Sequence, residues 1–520
     1  MSMERRRHII SQREVVFSCL TLTSIFAVLY GLFWWLDFRL VSESTDSLTI
    51  VELITQPGVV EVISNFGEIM VGLVAITLTV VTIIVELASN RYTPRIAELF
   101  IRDRTNIMTL SVFVLSALFV IWVEMSLHGP ELPENMLIAA LLVVTFNLLV
   151  MLPYFAYVFD FLQPRRIIDR IVKSSLTTLQ GITAPRAASL PQTQQNLSLA
   201  IEQIGDIGIH SVDAKDKDIA LASIGGLYRI ASFRIEYKTS LPSQWFDIDD
   251  LAMQDQDFVA LHIDVVKSTS KKKNWVERKV LRQMQAILQD AMNQSRDISH
   301  FVAIRTRRLI EYAIEKNDRS AVELGMRFLN TYIRFAINSS DVRTVYNLFN
   351  ELRLLAEELL NAKEDQLVIE VANYMKFYGH LGFNRNMPFV LECAAYDLSS
   401  VIEKAWHQQS SIHDLLLAIL LDVDREPREH SQEASLRGVR KAQARLATLY
   451  LLEKVPVKAR QIFDDMKEEP IERIASIEEE MLDITVAEYW EVSDRGKNFD
   501  YLPSERRAFL SVFFSWFLEM

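Results

Sequence analysis

Apolar and polar positions divide this chain in two. Up to about residue 160 the apolar residues run together in long blocks; beyond it they recur at helical spacing between charged residues. Four blocks, at roughly 15–36, 68–88, 107–127 and 136–158, reach the length that crosses a bilayer as a helix, about 20 residues. The first is as long as a signal peptide, but it runs on into Trp34 and Trp35 with no small-residue cleavage site. It reads as a retained helix with an interfacial aromatic anchor. Past residue 160 the pattern is that of 342–362, where Val345, Leu348, Leu352, Leu355, Leu359 and Leu360 share a helical face. Alternating strand patterns are scarce and no βαβ unit can be read. The predicted fold is all-α: four transmembrane helices followed by a large cytoplasmic helical-hairpin domain of tetratricopeptide or solenoid-like kind. Residues 1–160 form the membrane domain, 161–300 a juxtamembrane helix and first helical region, and 301–520 a C-terminal helical domain.

Linkers are expected where polar, Pro or Gly residues cluster: 181–196, 238–257, 424–433 and 494–503. A faint repeat lays 214–224 on 315–325, an offset of 101, with a further polar turn and helix start at 339–349. Residues 442–462 place small and aromatic side chains like a tetratricopeptide hairpin, but no period is kept, so plain α-α hairpins are favoured over a true array. The aromatic C-terminal segment 507–520 wants burial, on its own domain or against another subunit.

The second apolar block is the most informative. Glu68, Gly72, Ala75, Thr79, Thr82, Glu86 and Ser89 fall at intervals of 4 and 3, so small, polar and acidic residues share one helix face. Lipid is a poor neighbour for that face. Two readings stand: a close-packing seam between helices, or the lining of an ion path in an oligomer, with hydroxyls as oxygen ligands and carboxylates favouring cations. Glu68 and Glu86 lie near the ends, where a carboxylate reaches water, which weakens the functional case for each. Asn147 in the fourth block is expected to find a partner on a neighbouring helix, a structural role being favoured over transport.

Charge fixes the expected orientation. Arg5, Arg6, Arg7 and Arg13 precede the first block; Arg91, Arg95, Arg102 and Arg104 join the second and third; Arg165, Arg166, Arg170 and Lys173 follow the fourth. The opposite side has Arg39 alone, so both termini and everything after about residue 160 are expected in the cytoplasm. Of the 55 basic and 67 acidic residues, 46 and 53 lie beyond residue 159, an ordinary acidic surface that argues against a nucleic-acid partner. Two cysteines exclude a disulfide scaffold. No phosphate-binding loop, dinucleotide fingerprint, nucleophile elbow or HExxH is present, and His407, His413 and Asp414 lack metal-ligand spacing. Neither a cofactor, a metal nor an enzyme activity is expected. Gly225-Gly226 reads as helix packing, His380 as a turn residue, Cys393 as core and Lys271 to Lys273 as a solvated turn. Tyr154, Phe155, Tyr157 and Phe159 read as an interfacial aromatic group.

The stretch 86–104, ELASNRYTPRIAELFIRDR, resembles a signature of a family of uncharacterised bacterial predicted membrane proteins, with Thr93, Pro94, Arg95, Phe100 and Asp103 in the matching places. The segments DVRTVYNLFNELRLLAEELL, LRGVRKAQARLATLYLLEK and EVSDRGKNFDYL resemble the same family, whereas the region around 181–300 departs from it. The resemblance implies a multi-pass protein of the bacterial inner membrane and no mechanism. Pro94 suits the first turn of a short interfacial helix, with Arg91, Arg95, Arg102, Arg165, Arg166 and Arg170 near lipid phosphates. The 89–106 and 160–175 segments are expected to touch, with Asp103 or Glu98 pairing with an arginine. The expected function is a self-associating, channel-like, ion-conducting protein whose cytoplasmic helices gate or sense. The alternative is a membrane-anchored scaffold that binds a protein partner and transports nothing.

Overall fold

The computed structural model describes residues 24, 28, 30–36, 65–91, 97, 100–126, 134–182, 190–292, 294–424, 430–489, 492, 494–496 and 498–518. Among them there are helices and turns and no β-strand. The chain forms two compact units, Met1–Arg170 and Ile171–Met520.

In the N-terminal unit three helices are long and apolar enough to cross a membrane: α1 Phe66–Arg91, α2 Arg104–Ser126 and α3 Glu134–Phe161. The first predicted span falls mostly outside the described residues; its residues 30–36 are helical. At about 1.5 Å per residue each of the three helices exceeds the ~30 Å of bilayer hydrocarbon. They pack on one another around Met70, Phe119, Val120, Val123, Met136, Leu137 and Val144, with Tyr30 and Phe33 laid against this core. The Tyr30 hydroxyl meets Ser126 Oγ at 2.8 Å. Pro153 sits within α3, where it removes one ladder hydrogen bond.

Helix α4, Pro164–Ile182, crosses the boundary between the units. The C-terminal unit continues with α5 Leu190–Asp213, α6 Lys217–Tyr237, α7 Ile263–Lys272, α8 Trp275–Ala291, α9 Arg296–Glu315, α10 Arg319–Asn338, α11 Val342–Asn361, α12 Asp365–Asn384, α13 Phe389–His407, α14 His413–Leu421, α15 His430–Leu452, α16 Pro456–Met466, α17 Ile471–Asp483 and α18 Leu510–Leu518.

A strict period runs through its middle. Asn317, Ser340, Lys363, Asn386 and Gln409 adopt left-handed backbone, each 23 residues after the last. A left-handed residue ends one helix and the next residues start another; Asp318 and Asp341 accept the backbone N–H of Ala321 and Thr344 as caps. Helices α9 to α12 are therefore all 20 residues long and reverse direction at the same kind of turn. They stack in two layers: α9, α11, α13 and α15 each touch the next in one, α10, α12 and α14 in the other. The expected absence of a period is thus corrected. The same turn occurs at Lys215 before the cap Asp216, which sets the earlier offset at 102 rather than 101.

Two expected linkers are packed structure. Residues 238–262 fold as short turns that bury Trp245, Phe246, Ile248 and Phe258, with Trp245 against Trp275 at 5.0 Å and Gln194 Nε2 bonded to the Trp245 and Asp247 carbonyls. Residues 494–496 and 498–503 form part of a strap described below. Residues 190–196 belong to α5 and 430–433 to α15, while 183–189 and 425–429 lie outside the described residues. The aromatic C-terminus docks on its own unit: Phe513, Phe514 and Phe517 are buried, Phe517 lies 4.7 Å from Phe463, and the Arg460 guanidinium covers Trp516 at 4.0 Å.

Two glycines are required by close approach. A Cβ on Gly208 would lie 2.5 Å from Ile287 Cδ1 of α8, and one on Gly382 would lie 2.7 Å from Val390 Cβ of α13. Cys393 is buried as expected, whereas His380 lies inside α12, its Nε2 at 2.9 Å from the Val423 carbonyl, and not in a turn.

Candidate functional sites

The polar face of α1 points away from the unit's own core. Glu68, Ala75, Thr79, Thr82 and Glu86 are exposed, and Gly72 and Ser89 half-buried. The face that packs inward carries Gly67, Met70, Thr77, Val81 and Val85, with the Glu124 carboxylate of α2 lying against Gly67. Among the described residues the predicted face therefore forms no seam. Thr79 donates to the Ala75 carbonyl at 2.8 Å and Thr82 to the Leu78 carbonyl at 2.7 Å. Each hydroxyl spends its proton on its own helix and keeps its oxygen lone pairs on the outward face.

Asn147 is fully buried, but its amide donates to the Val143 carbonyl of its own helix at 2.7 Å, and among the described residues its Oδ1 has no partner. This corrects the expected cross-helix bond.

The 89–106 and 160–175 segments do touch. Phe100 packs edge-on against Phe161 at 5.3 Å, and the Arg170 guanidinium lies 3.9 Å over the Phe161 ring. At Asp103 the expected pair with an arginine is replaced by another lock. Asp103 caps α2 by accepting the N–H of Thr105 and Asn106, and also accepts the Tyr157 hydroxyl. Asn106 accepts the Tyr154 hydroxyl at 2.7 Å and donates to the Phe100 carbonyl at 3.1 Å. Two tyrosines three residues apart thus meet an acid and an amide three residues apart. That matched spacing is the available signal, and reading the tyrosines only as interfacial aromatics overlooks it. Arg166 pairs with Asp160 at 3.3 Å, and Arg102 and Arg165 are exposed or partly so. Thr93, Pro94, Arg95 and Glu98 lie outside the described residues, as does the Arg91 side chain.

In the C-terminal unit, polar groups inside the fold are paired across long stretches of sequence. Lys279 is fully buried, with Nζ 2.7 Å from both Asp255 and Asp257. Arg234, also fully buried, binds Glu277, and burial pushes the Glu277 carboxyl up to about 7. Both clusters fix helix positions.

A cavity of about 640 Å³ opens where α11, α13, α15 and a strap, described over residues 484–489, 492, 494–496 and 498–503, converge. Arg343 holds Asp494 of the strap at 2.8 and 2.6 Å, and its hydrogen bonds, ahead of any other influence, bring the Asp494 carboxyl down to about 2. Arg495 of the strap reaches Asp397 at 2.7 Å and stacks 4.1 Å over Tyr346. Phe499 lies flat on Tyr396 at 4.7 Å, Lys441 binds Asp500 at 2.8 Å, and Arg506 grips Glu403 with both arms of its fork. Burial alone would raise the Glu403 carboxyl; the bonds from Arg506 hold it lower than usual. Sequence reading missed this site because its anchors lie as far as 151 residues apart.

Apolar spans and a regular helical array together define a multi-spanning membrane protein with a helical-repeat extension. Residues 12–213 match the model of a family described as "Predicted membrane protein (DUF2254)", which supports the resemblance to an uncharacterised predicted-membrane-protein family. The match takes in Thr93, Pro94, Arg95, Phe100 and Asp103 and ends at the last residue of α5, before the three C-terminal segments that shared the resemblance. No curated protein matches. A solved structure described as a circular tandem repeat protein with novel repeat topology and enhanced subunit contact surfaces aligns over 88% of this chain and 95% of its own at 12% identity, with a TM-score of 0.33, too low to carry an argument.

Proposed function

We propose that this protein is a multi-pass protein of the bacterial inner membrane, with both termini in the cytoplasm, that self-associates through the outward face of α1 into a channel-like, ion-conducting oligomer. The C-terminal unit is its cytoplasmic sensing or gating part, and no enzyme activity is assigned. The observation that carries the reading is the exposure of Glu68, Ala75, Thr79, Thr82 and Glu86 on a helix long enough to span the bilayer. Hydrocarbon would face the hydroxyl oxygens of Thr79 and Thr82 there; a second copy or a water-filled path removes that cost. Outward lone pairs on Thr79 and Thr82 suit cation passage. A scaffold that binds a protein partner is the second reading, favoured by the 23-residue array, since stacked helical repeats make extended binding surfaces.

The test is ion flux from liposomes holding purified protein, with Thr79→Leu and Thr82→Leu beside the wild type. Conduction that falls at least several-fold in either variant supports the channel. A wild type that carries no current over a wide range of ions, voltages and membrane tensions hands the function to the scaffold.

A further inference from the structure

The cavity between α11, α13, α15 and the strap has an unusual distribution of charge. Four arginines line it, and three are committed to carboxylates: Arg353 to Glu357, Arg495 to Asp397 and Arg506 to Glu403. Arg445 is different. It donates one bond of 3.3 Å to the strap carbonyl of Phe499, and among the described residues no carboxylate lies within ion-pair reach of it. A guanidinium has five N–H donors in a planar fork shaped for an oxyanion, so most of this one is unused.

A second, independent observation lies in the same wall. Asp397, 2% exposed, has one oxygen with no partner, and Arg495, its side chain 8% exposed, has an unpartnered Nε. Buried polar atoms are normally satisfied, and here a guanidinium donor and a carboxylate acceptor are left over within one ion pair. The Tyr396–Phe499 stack, with its rings 13° from parallel, adds a flat aromatic surface. The volume lies in the usual range for small-molecule sites, about 300–1,000 Å³.

We propose that this cavity binds a small oxyanion-bearing molecule, a phosphate or a carboxylate, with the anionic group on Arg445 and the body of the molecule against the Tyr396–Phe499 stack. Each acid in the wall is hydrogen-bonded to another arginine, Asp397 to Arg495, Glu403 to Arg506 and Asp494 to Arg343. Arg445, which acts on Glu403 only from a distance, supplies the surplus positive charge. The site closes only when the strap is in place, because Arg495 and Phe499 belong to it. The inference is separate from ion conduction and is tested without flux.

The full chain, purified in mild detergent, is titrated with inorganic phosphate, AMP and citrate, with binding read by calorimetry and by thermal unfolding. At least one of the three is expected to bind the wild type and raise its melting temperature. AMP should exceed phosphate, since its ring adds the aromatic contact. Binding by phosphate or AMP identifies a phosphate site, and binding by citrate alone a carboxylate site. Arg445→Met is expected to lose at least tenfold in affinity. Arg445→Lys should fall between, because an ammonium cannot make the two-armed contact, and Arg460→Met, which alters an arginine outside the cavity, should bind as the wild type does. Should Arg445→Met fail to fold, as judged by circular dichroism, Arg445→Gln is measured in its place. The proposal is overturned if none of the three ligands binds the wild type, or if the Arg445 variant that folds binds as tightly as the wild type.

Discussion

Hydroxyls bond back to their own helix in both units, and the units differ in their charged groups, which pair across long stretches of sequence mainly in the C-terminal one. In the N-terminal unit Thr79, Thr82, Thr109, Thr145 and Asn147 each bond to a carbonyl four residues back in the same helix. In the C-terminal unit Arg495 reaches Asp397, Arg343 reaches Asp494 and Lys279 reaches Asp255, across 98, 151 and 24 residues. A bond within one helix says nothing about where that helix sits. A bond between distant segments fixes both. The C-terminal unit is therefore locked by its charges, whereas the spanning helices are held by apolar packing, by the polar lock at the Asp103–Tyr157 end and by the Tyr30–Ser126 bond. The outward groups of α1 remain available to a second copy.

The largest expected effect tests the locked side. Replacing Lys279 by Met leaves Asp255 buried without its cation and Asp257 with only Arg282 at 3.6 Å, at a cost of about 3–5 kcal/mol. Urea unfolding followed by tryptophan fluorescence reports on it, since Trp245 and Trp275 are buried in the same unit. Adding Asp255→Asn and Asp257→Asn to Lys279→Met should restore much of the loss. If the single variant is as stable as the wild type, these charges do not hold the unit.

On the membrane side the lock is smaller. Asp103→Ala removes a helix cap and the acceptor of Tyr157, and should cost about 1–2 kcal/mol. Asp103→Asn, which can still cap, should cost less. Unfolding in mixed micelles at rising SDS fraction measures both, and equal losses in the two variants would show that the cap contributes nothing.

How much of this was legible in the sequence depends on the range of the signal. The spans, the helical character and the polar face of α1 rest on spacings of three and four residues, and they are visible. The direction of that face was not, because which side of a helix packs depends on residues in other helices. The 23-residue repeat was missed because it conserves burial and not identity. Val322, Val345, Val368 and Leu391 keep one register, but Gly325, Leu348, Val371 and Ala394 hold another with four different side chains. The strap looked like a linker because its composition is polar, and its partners are too distant in sequence to announce themselves.

Glu392 gives a pH-dependent contrast within the locked unit. It sits against Gly438, and burial first, with Asp500 second, pushes its carboxyl from 4.5 to about 8. Between those values the folded state holds a proton that the unfolded state has released, so stability is present below about pH 4.5 and is lost as pH rises towards 8. Glu392→Gln should remove this slope, melting close to the wild type at pH 5 and higher at pH 8, by on the order of a few kcal/mol. Parallel melting curves for the two proteins from pH 5 to 8 would refute it.

The smallest effect on stability decides what the outward face of α1 is for. Thr79→Val and Thr82→Val keep the shape of the side chain and remove a hydroxyl that bonds only to its own helix. The fold of the single chain should therefore change by less than about 0.5 kcal/mol in the SDS titration. Particle mass in mild detergent is the informative reading. If the face packs directly on a second copy, valine at these positions adds apolar contact and the oligomer should persist with conduction reduced, because the oxygen ligands are gone. If the oligomer falls apart, the hydroxyls themselves bond between copies, as small polar residues do between spanning helices. If the protein is a monomer before any substitution, the outward face has no second copy to meet, and self-association fails along with the channel that depends on it.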